Sequence, residues 1–267
     1  MTRTYSLAQL MALPLAPAQM VQLAAQTGCA AAGIRLLATA PGGQAYPLME
    51  RPDLLRETLA AIADTGVKVL DLEVVRINPG FDVRHYQRFL EVGAQLGAAH
   101  ILVAGDDADE ARLTAHFVQL CEAAAPYGLT ADLEFMPWTD VPNLRHAKRV
   151  VAAAAQPNAG VLVDALHFAR SDSHLHELAD IPRSWLHYAQ ICDGRVPGPS
   201  TVDEMIFDAR CERLLPGEGG IDLKALFAAL PADIPISIEV PSESRAAQFG
   251  HPRWAEMAKA ATLQVLG

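Results

Sequence analysis

The stretch GVLVDALHFARS occupies residues 160–171, and within it an apolar run stops abruptly at polar residues. The run 161–163 is typical of a strand that is buried on both faces. Asp164 ends this strand, and His167 follows three residues later. In parallel α/β proteins catalytic groups collect at the carboxyl ends of strands, so Asp164 is a candidate ligand or catalyst. The structural alternative is that Asp164 caps the helix that follows.

The same alternation of an apolar strand and an amphipathic helix repeats along the chain. Eight strands are predicted, at 5–13, 31–37, 67–75, 99–104, 130–135, 160–164, 185–192 and 234–240. This spacing is that of parallel βαβ units, and about 250 residues is the usual length of an eight-stranded α/β barrel. With 267 residues and no break in composition, the chain is predicted to be an α/β protein, a single (β/α)₈ TIM barrel domain covering residues 1–267.

Two features of the sequence refine this prediction. A doubly wound sheet is disfavoured, because no Gly-rich phosphate-binding turn follows the first strand. A long loop, rich in Pro and Gly, is predicted between the seventh strand and a helix that begins at Leu223.

Composition limits the classes of partner. The formal net charge of −10 repels polyanions and argues against nucleic-acid and acidic-membrane binding. No apolar run approaches the roughly 18 residues that a membrane helix needs, so a soluble protein is predicted. The four cysteines show no C-x-x-C spacing, which predicts free thiols in a cytoplasmic protein.

Oxygen-bearing side chains lie near the carboxyl ends of the last four predicted strands. They are Glu134, Asp164, Gln190 and Glu239, in strand order. Adjacent barrel strands bring their ends together, and three converging carboxylates would repel one another without a cation between them. Oxygen ligands favour Mg²⁺ or Mn²⁺ over zinc, so these residues predict a site for one such divalent ion. The alternative is a structural ion-pair network, but strands five to eight contain no Lys or Arg to complete one.

This pattern resembles the xylose isomerase-like barrels, the sugar phosphate isomerase/epimerase superfamily, over essentially the whole chain. In that superfamily the ends of strands five to eight bind one divalent metal. The resemblance implies the same role here for Glu134, Asp164, Gln190 and Glu239. Members of the superfamily often form dimers or tetramers, so the resemblance allows a homo-oligomer without fixing the oligomeric state.

Two further residues match the superfamily, and one departs from it. His167 matches a histidine that contacts a substrate oxygen, which implies a part in catalysis. In DLEFMPWTD, Asp140 stands six positions after the first ligand, where the superfamily has an acidic residue that touches substrate. Most members have His in strand seven, where this chain has Gln190. In this respect the chain resembles some metal-dependent 3-dehydroshikimate dehydratases of the same superfamily, and an amide oxygen can still bind a metal.

The implied chemistry begins with removal of a proton next to a metal-bound carbonyl of a small polyhydroxylated substrate. Glu134 and Glu239 are the candidate base and acid, because they lie three strands apart in barrel order. Proton return to the opposite face gives epimerisation, return to the neighbouring carbon gives isomerisation, and loss of a β-hydroxyl gives dehydration. The prediction is an isomerase or epimerase, with a dehydratase as the alternative. A multi-metal endonuclease and a non-catalytic sugar-binding barrel are disfavoured, by the lack of His-rich strand ends and by the intact acidic set.

Charged residues beyond other strand ends are weaker candidates. Arg170, Arg195 and Arg245 follow strands six, seven and eight and would suit binding of a substrate carboxylate or hydroxyl, with solvation at the surface as the alternative. Glu73 and Arg76 at the end of strand three are predicted to form a salt bridge rather than to contribute to the site.

Overall fold

The structure is a computed structural model that describes residues 3–39 and 42–267. In these residues eight parallel strands close into one barrel in chain order, and β1 pairs with β8. The strands are Tyr5–Leu7 (β1), Ala31–Arg35 (β2), Lys68–Ile77 (β3), His100–Gly105 (β4), Thr130–Glu134 (β5), Ala159–Asp164 (β6), Ala189–Ile191 (β7) and Ile236–Ile238 (β8). The predicted (β/α)₈ TIM barrel is confirmed.

Ten α-helices in the described ranges surround the strands. They are Pro17–Gln26 (α1), Pro52–Thr65 (α2), Gln87–Leu96 (α3), Glu110–Ala124 (α4), Leu144–Ala154 (α5), Ala165–Arg170 (α6), Val202–Cys211 (α7), Leu223–Ala228 (α8), Glu243–Phe249 (α9) and His251–Leu266 (α10). Short 3₁₀ turns lie at Gln9–Ala12, Val83–Tyr86, Ala125–Tyr127, Leu175–Leu178 and Arg183–Trp185.

Apolar residues form two buried layers. Successive residues of a strand face opposite sides, so Val103 packs in the large core under the helices while Leu102 belongs to a smaller cluster inside the barrel. Leu162 and Tyr188 are fully buried in the same inner cluster. This filling makes the barrel a packed core, and chemistry is left to its carboxyl end.

Helix α7 lies where the sequence predicted a loop, so that prediction was wrong. Thr201 caps the helix: its Oγ1 accepts a hydrogen bond from the Glu204 N–H, and the Glu204 carboxylate accepts one from the Thr201 N–H. Thr-x-x-Glu is a capping box, a local signal for a helix start. Pro197 and Pro199 directly before it favoured the loop interpretation, although prolines outside a helix do not prevent it from forming.

The excursion that contains α7 is closed at its base by Asp193. Asp193 and Leu214 form an antiparallel bridge with two N···O distances of 2.9 and 3.0 Å. The Asp193 carboxylate also accepts hydrogen bonds from three backbone N–H groups of the next loop, those of Gly217, Gly219 and Ile221. A Cβ at Gly219 would collide with the Asp193 carboxylate, so only glycine fits there. This clamp fixes Arg213, the residue before the bridge, at the mouth of the barrel.

Two predictions about the chain as a whole were tested. Within the described ranges, no helix combines the length and the apolarity needed to cross a membrane. The cysteines Cys29, Cys121, Cys192 and Cys211 form no disulfide bond in the part of the chain that the structure describes. This confirms the free thiols that the sequence predicted.

Candidate active site

The four residues proposed as metal ligands lie at the carboxyl end of the barrel. Glu134 ends β5, Asp164 ends β6, Gln190 lies in β7 and Glu239 directly follows β8. The strand register pairs Asp164 with Gln190. All four are buried, none more than 4% exposed. Strand geometry alone therefore brings these oxygen donors to one end of the barrel.

Asp164 has the capping role that the sequence suggested and also faces the site. Its Oδ1 accepts a hydrogen bond from the His167 backbone N–H at 3.0 Å, which starts α6. This cap orients His167, whose Nε2 lies 3.9 Å from Glu134 Oε1. The Trp138 ring packs edge-on against the imidazole, with ring centroids 5.1 Å apart. His167 is thus held on two sides, by the cap and by an aromatic ring.

An arginine that the sequence analysis missed lies among the carboxylates. Arg213 Nη1 is 2.6 Å from Asp164 Oδ2, and its Nη2 is 2.9 Å from Glu239 Oε2. Its Nε donates to the Ala209 carbonyl at 2.7 Å, and its side chain is 2% exposed. Arg213 lies after α7 rather than in a strand, so a search for cations inside strands five to eight could not find it. The available clue was an arginine followed by two leucines and the Gly-rich turn at 216–220.

Burial and charge control the protonation of the site. Burial, together with the charges of Asp164 and Glu239, raises the pKa of Glu134. Burial also raises the pKa of Glu239 to about 7, against the opposing effect of Arg213. Burial acts to raise the pKa of Asp164 too, but the charge of Arg213 and the hydrogen bond from the His167 backbone N–H outweigh it, so this pKa is lowered. Burial lowers the pKa of His167 to about 4, so the imidazole is neutral at neutral pH.

The unpaired donor atoms fit a divalent cation. Among the described residues, Glu134 Oε1 and both amide atoms of Gln190 are buried without a hydrogen-bond partner. A buried polar atom left unpaired costs about 1–3 kcal/mol, and coordination by a cation would remove that cost. Ligand atoms of Glu134, Asp164 and His167 lie within 4.8 Å of one another. When ionised, the three carboxylates and Arg213 leave two negative charges, which one divalent cation would balance.

A second cluster of possible ligands lies at the opposite end of the barrel, and its atoms are already paired. His100 begins β4, His187 precedes β7, and their ring nitrogens lie within 4.8 Å of Asp132. Asp132 Oδ1 is 2.6 Å from His187 Nδ1, and its Oδ2 accepts from Thr130 Oγ1 at 2.5 Å. Catalysis in TIM barrels takes place at the carboxyl end, so we assign this cluster to stability.

A cavity of about 240 Å³ lies over the candidate centre, lined by Glu134, His167, Trp138 and Glu239 among others. Pockets for drug-sized ligands have about 300–1,000 Å³, so this cavity suits a molecule nearer to a monosaccharide in size. Four arginines also line it: Arg35, Arg76, Arg210 and Arg213.

The proposed substrate-binding residues Asp140, Arg170, Arg195 and Arg245 do not line this cavity. Asp140 and Arg195 are exposed at the surface. Arg170 Nη2 lies 3.3 Å from Asp208 Oδ2, and Arg245 Nη1 lies 2.7 Å from Glu218 Oε2. Their contact with substrate stays a prediction.

The predicted salt bridge between Glu73 and Arg76 is wrong. The register of β2 and β3 places Arg35 directly beside Glu73, and the two form an ion pair at 2.6 Å. Arg76 pairs with Asp106 instead. Arg35 pairs with the Glu73 carboxylate because it is the neighbour of Glu73 on the adjacent strand, whereas Arg76 lies further along the same strand as Glu73.

The family model described as the xylose isomerase-like TIM barrel matches residues 21–262. The chain belongs to the xylose isomerase-like TIM barrel family. This finding confirms the resemblance that the strand-end residues indicated.

Curated relatives of this family member include inosose isomerases. The chain is 31% identical over 116 residues to the inosose isomerase of Bacillus velezensis and 30% identical over 116 residues to that of Bacillus subtilis. The match covers 42% of this chain and 39% of each relative. It therefore spans about two fifths of the length of these relatives.

Solved structures share the fold of this xylose isomerase-like barrel along its length. The IOLI protein with a bound zinc atom superposes with a TM-score of 0.81 at 19% identity, over 98% of both chains. A D-allulose 3-epimerase from Methylomonas sp. superposes with a TM-score of 0.70 at 15% identity, over 98% of this chain and 97% of that one. A fusion of such a barrel with a 4-hydroxyphenylpyruvate dioxygenase gives a TM-score of 0.80 at 19% identity, over 99% of this chain and 43% of the fusion.

Proposed function

We propose that this barrel is a divalent-metal-dependent isomerase or epimerase, which removes a proton next to the carbonyl group of a small polyhydroxylated substrate. The observation that carries the proposal is the set of buried oxygen donors at the ends of β5 to β8, with unpaired atoms on Glu134 and Gln190. The inosose isomerases and the D-allulose 3-epimerase among its relatives support the same reaction class.

The residues that would hold the metal are Glu134, Asp164, Gln190 and Glu239, with His167 close enough to join or replace one of them. Oxygen donors dominate this set, which supports Mn²⁺ or Mg²⁺, although the related IOLI protein binds zinc. When bound, a divalent ion would polarise the substrate carbonyl and stabilise the negative charge that develops as the adjacent proton leaves.

The protein's own side chains would move and orient the proton. Glu134 has no hydrogen-bond partner on Oε1 within the described residues and can accept a proton from substrate carbon. Glu239 lines the same cavity from the β8 side and can return a proton, while Arg213 Nη2 holds its carboxylate in place. The neutral His167 can form a hydrogen bond with a substrate hydroxyl.

Dehydration is a second candidate, and Gln190 is the observation that favours it. Its amide is buried beside Asp164, adds no charge to the site and offers an NH₂ group as donor. Although Gln190 does not line the cavity, an NH₂ donor beside the proposed metal ligand Asp164 would stabilise a departing hydroxyl group held at the metal.

The free cysteines support the proposed cytoplasmic location, and a homo-oligomer stays a prediction.

The test combines metal binding with proton exchange. EDTA-treated wild-type protein is titrated calorimetrically with Mn²⁺, Mg²⁺ and Zn²⁺, beside Glu134→Gln and the surface control Glu122→Gln. Metal-loaded protein is then incubated with an inosose, D-allulose or D-tagatose in D₂O, and ¹H NMR follows deuterium uptake. We expect metal binding that Glu134→Gln weakens and Glu122→Gln does not, and exchange on at least one ketose. Isomerised product identifies an isomerase, and an unsaturated product identifies a dehydratase. Wild-type protein that binds none of the metals would contradict the proposal.

A further inference from the structure

Four guanidinium groups line the cavity over the candidate centre, and two of them are fully matched by carboxylates. Arg35 donates from Nε and Nη2 to Glu73 Oε2, at 2.9 and 2.6 Å. Arg213 is shared between Asp164 and Glu239. We therefore assign these two arginines to ion pairs that stabilise the carboxyl end of the barrel.

The other two, Arg76 and Arg210, have donors left over. Arg76 forms an ion pair with Asp106, but its Nε is buried without a hydrogen-bond partner among the described residues. Within residues 3–39 and 42–267, the Arg210 side chain makes neither a hydrogen bond nor an ion pair, although it is half-buried. A guanidinium carries five N–H donors, and partial burial without acceptors is costly.

These two cations also lack a shared anion. Burial and the charge of Arg210 lower the pKa of Arg76, and burial and the charge of Arg35 lower the pKa of Arg210. The arginines thus repel one another across the cavity wall. The charge of Glu134 acts in the opposite direction and raises the pKa of Arg76. Arg76 therefore lies near the proposed proton-transfer residue.

The composition of the cavity is therefore divided. Its lining includes Glu134 and Glu239, two of the residues that would bind a metal, and Glu243. It also includes two guanidinium groups, on β3 and α7, that have N–H donors left over. A purely neutral sugar would leave these donors without a charged acceptor. The planar guanidinium fork matches carboxylate and phosphate oxygens, which accept several N–H donors at once.

We propose that Arg76 and Arg210 form an oxyanion subsite that binds a carboxylate or phosphate group of the substrate, beside the centre at Glu134. This inference rests on the proposed function for the position of the reacting carbonyl, and it predicts that anionic hydroxy-carbonyl compounds bind more tightly than neutral ones. The relatives named for neutral sugars would differ from this chain in that respect.

The test uses three six-carbon probes that differ in one terminal group: sorbitol, gluconate and sorbitol 6-phosphate. Calorimetry measures the affinity of each for Mn²⁺-loaded wild-type protein, Arg210→Gln, Arg210→Lys and the control Arg253→Gln, which alters an exposed pair on α10. We expect the wild type to prefer one anionic probe over sorbitol by roughly tenfold to 100-fold, as charge-assisted hydrogen bonds predict. Arg210→Gln should remove most of that preference, Arg210→Lys should retain part of it, and Arg253→Gln should leave it unchanged. Whether gluconate or sorbitol 6-phosphate binds more tightly identifies the anionic group.

Two results would overturn the subsite. One is equal affinity of the wild type for all three probes. The other is an anion preference that Arg210→Gln leaves intact, because a metal that chelates gluconate directly would not depend on Arg210. A thermal melt of each variant without ligand checks that the fold is kept. Mn²⁺ binding is titrated separately without any probe, so a failure of the proposed metal centre is recognised independently of the subsite.

Discussion

Replacing Arg213 with methionine tests the charge balance at the centre of the site. Arg213→Met keeps most of the buried aliphatic volume but removes the contacts at 2.6 Å to Asp164 Oδ2 and at 2.9 Å to Glu239 Oε2. Both partners are at least 95% buried, so each is left without its positively charged partner. Removing one partner of a buried ion pair costs about 3–5 kcal/mol. At about 2–4 °C per kcal/mol for a chain near this size, Tm should fall by roughly 6–20 °C without metal.

The assay is thermal and urea unfolding followed by circular dichroism, first in EDTA and then with saturating Mn²⁺. The matched control is Arg149→Met, which breaks an ion pair with Glu110 whose side chains are 53% and 44% exposed. An exposed pair contributes about 0–1 kcal/mol, so this variant should melt close to the wild type. Because a cation that binds only the folded state raises its stability, Mn²⁺ should restore more stability to Arg213→Met than to the wild type.

Arg213→Met that is as stable in EDTA as Arg149→Met would refute this charge balance. That result would mean that Asp164 and Glu239 need no positive partner, and the charge argument for a metal would lose its basis. Equal stabilisation of the wild type and Arg213→Met by Mn²⁺ would likewise show that the metal and the arginine do not act on the same carboxylates.

Three other predictions concern single groups. Glu134→Gln and Glu239→Gln should each lower kcat by about 10²–10⁴-fold at saturating metal, measured on the substrate found by deuterium exchange, and near-normal turnover would remove that residue from the proton transfer. Gln190→His should shift the metal preference from Mg²⁺ towards later transition metals, and an unchanged ranking in competitive titrations would mean that Gln190 is not a ligand. Burial lowers the pKa of His187, but its hydrogen bond to Asp132 and the charge of that carboxylate outweigh this and raise it. The resulting stabilisation is present below the unfolded pKa and is lost as pH rises through the folded pKa, so His187→Gln should reduce the free energy of unfolding more at about pH 6 than at about pH 9 in urea titrations. Equal losses at the two pH values would contradict that assignment.

The barrel and its strand-end donors could be predicted because both depend on local patterns. Each strand is an apolar run of a few residues, and Glu134 and Asp164 end theirs directly, so sequence position fixes their place in a closed barrel. Asp164 as a helix cap followed in the same way from the residue type and the helix behind it.

Residues that act from outside their own strand could not be found this way. Arg213 contacts the carboxylates from a segment that follows α7, and no residue in strands five to eight indicates that it lies there. The salt bridge assigned to Glu73 and Arg76 failed for a related reason: Arg35 lies 38 positions away in sequence but is the cross-strand neighbour. Substrate contacts depend on loops, whose course is set by tertiary packing rather than by periodicity.

The Asp193 clamp has a consequence for how this barrel diversifies. Because Asp193 and Leu214 close the excursion at its base, we expect insertions, deletions or exchanges between 195 and 208 to leave Arg213 in place, with its Nε still bonded to the Ala209 carbonyl. The position of Arg210 then depends on the excursion, whereas Arg213 stays registered to the barrel. Natural variation in this segment can therefore change the substrate specificity without changing the residues that are proposed to transfer the proton. Loop grafting between relatives at these two anchor points is the corresponding engineering route.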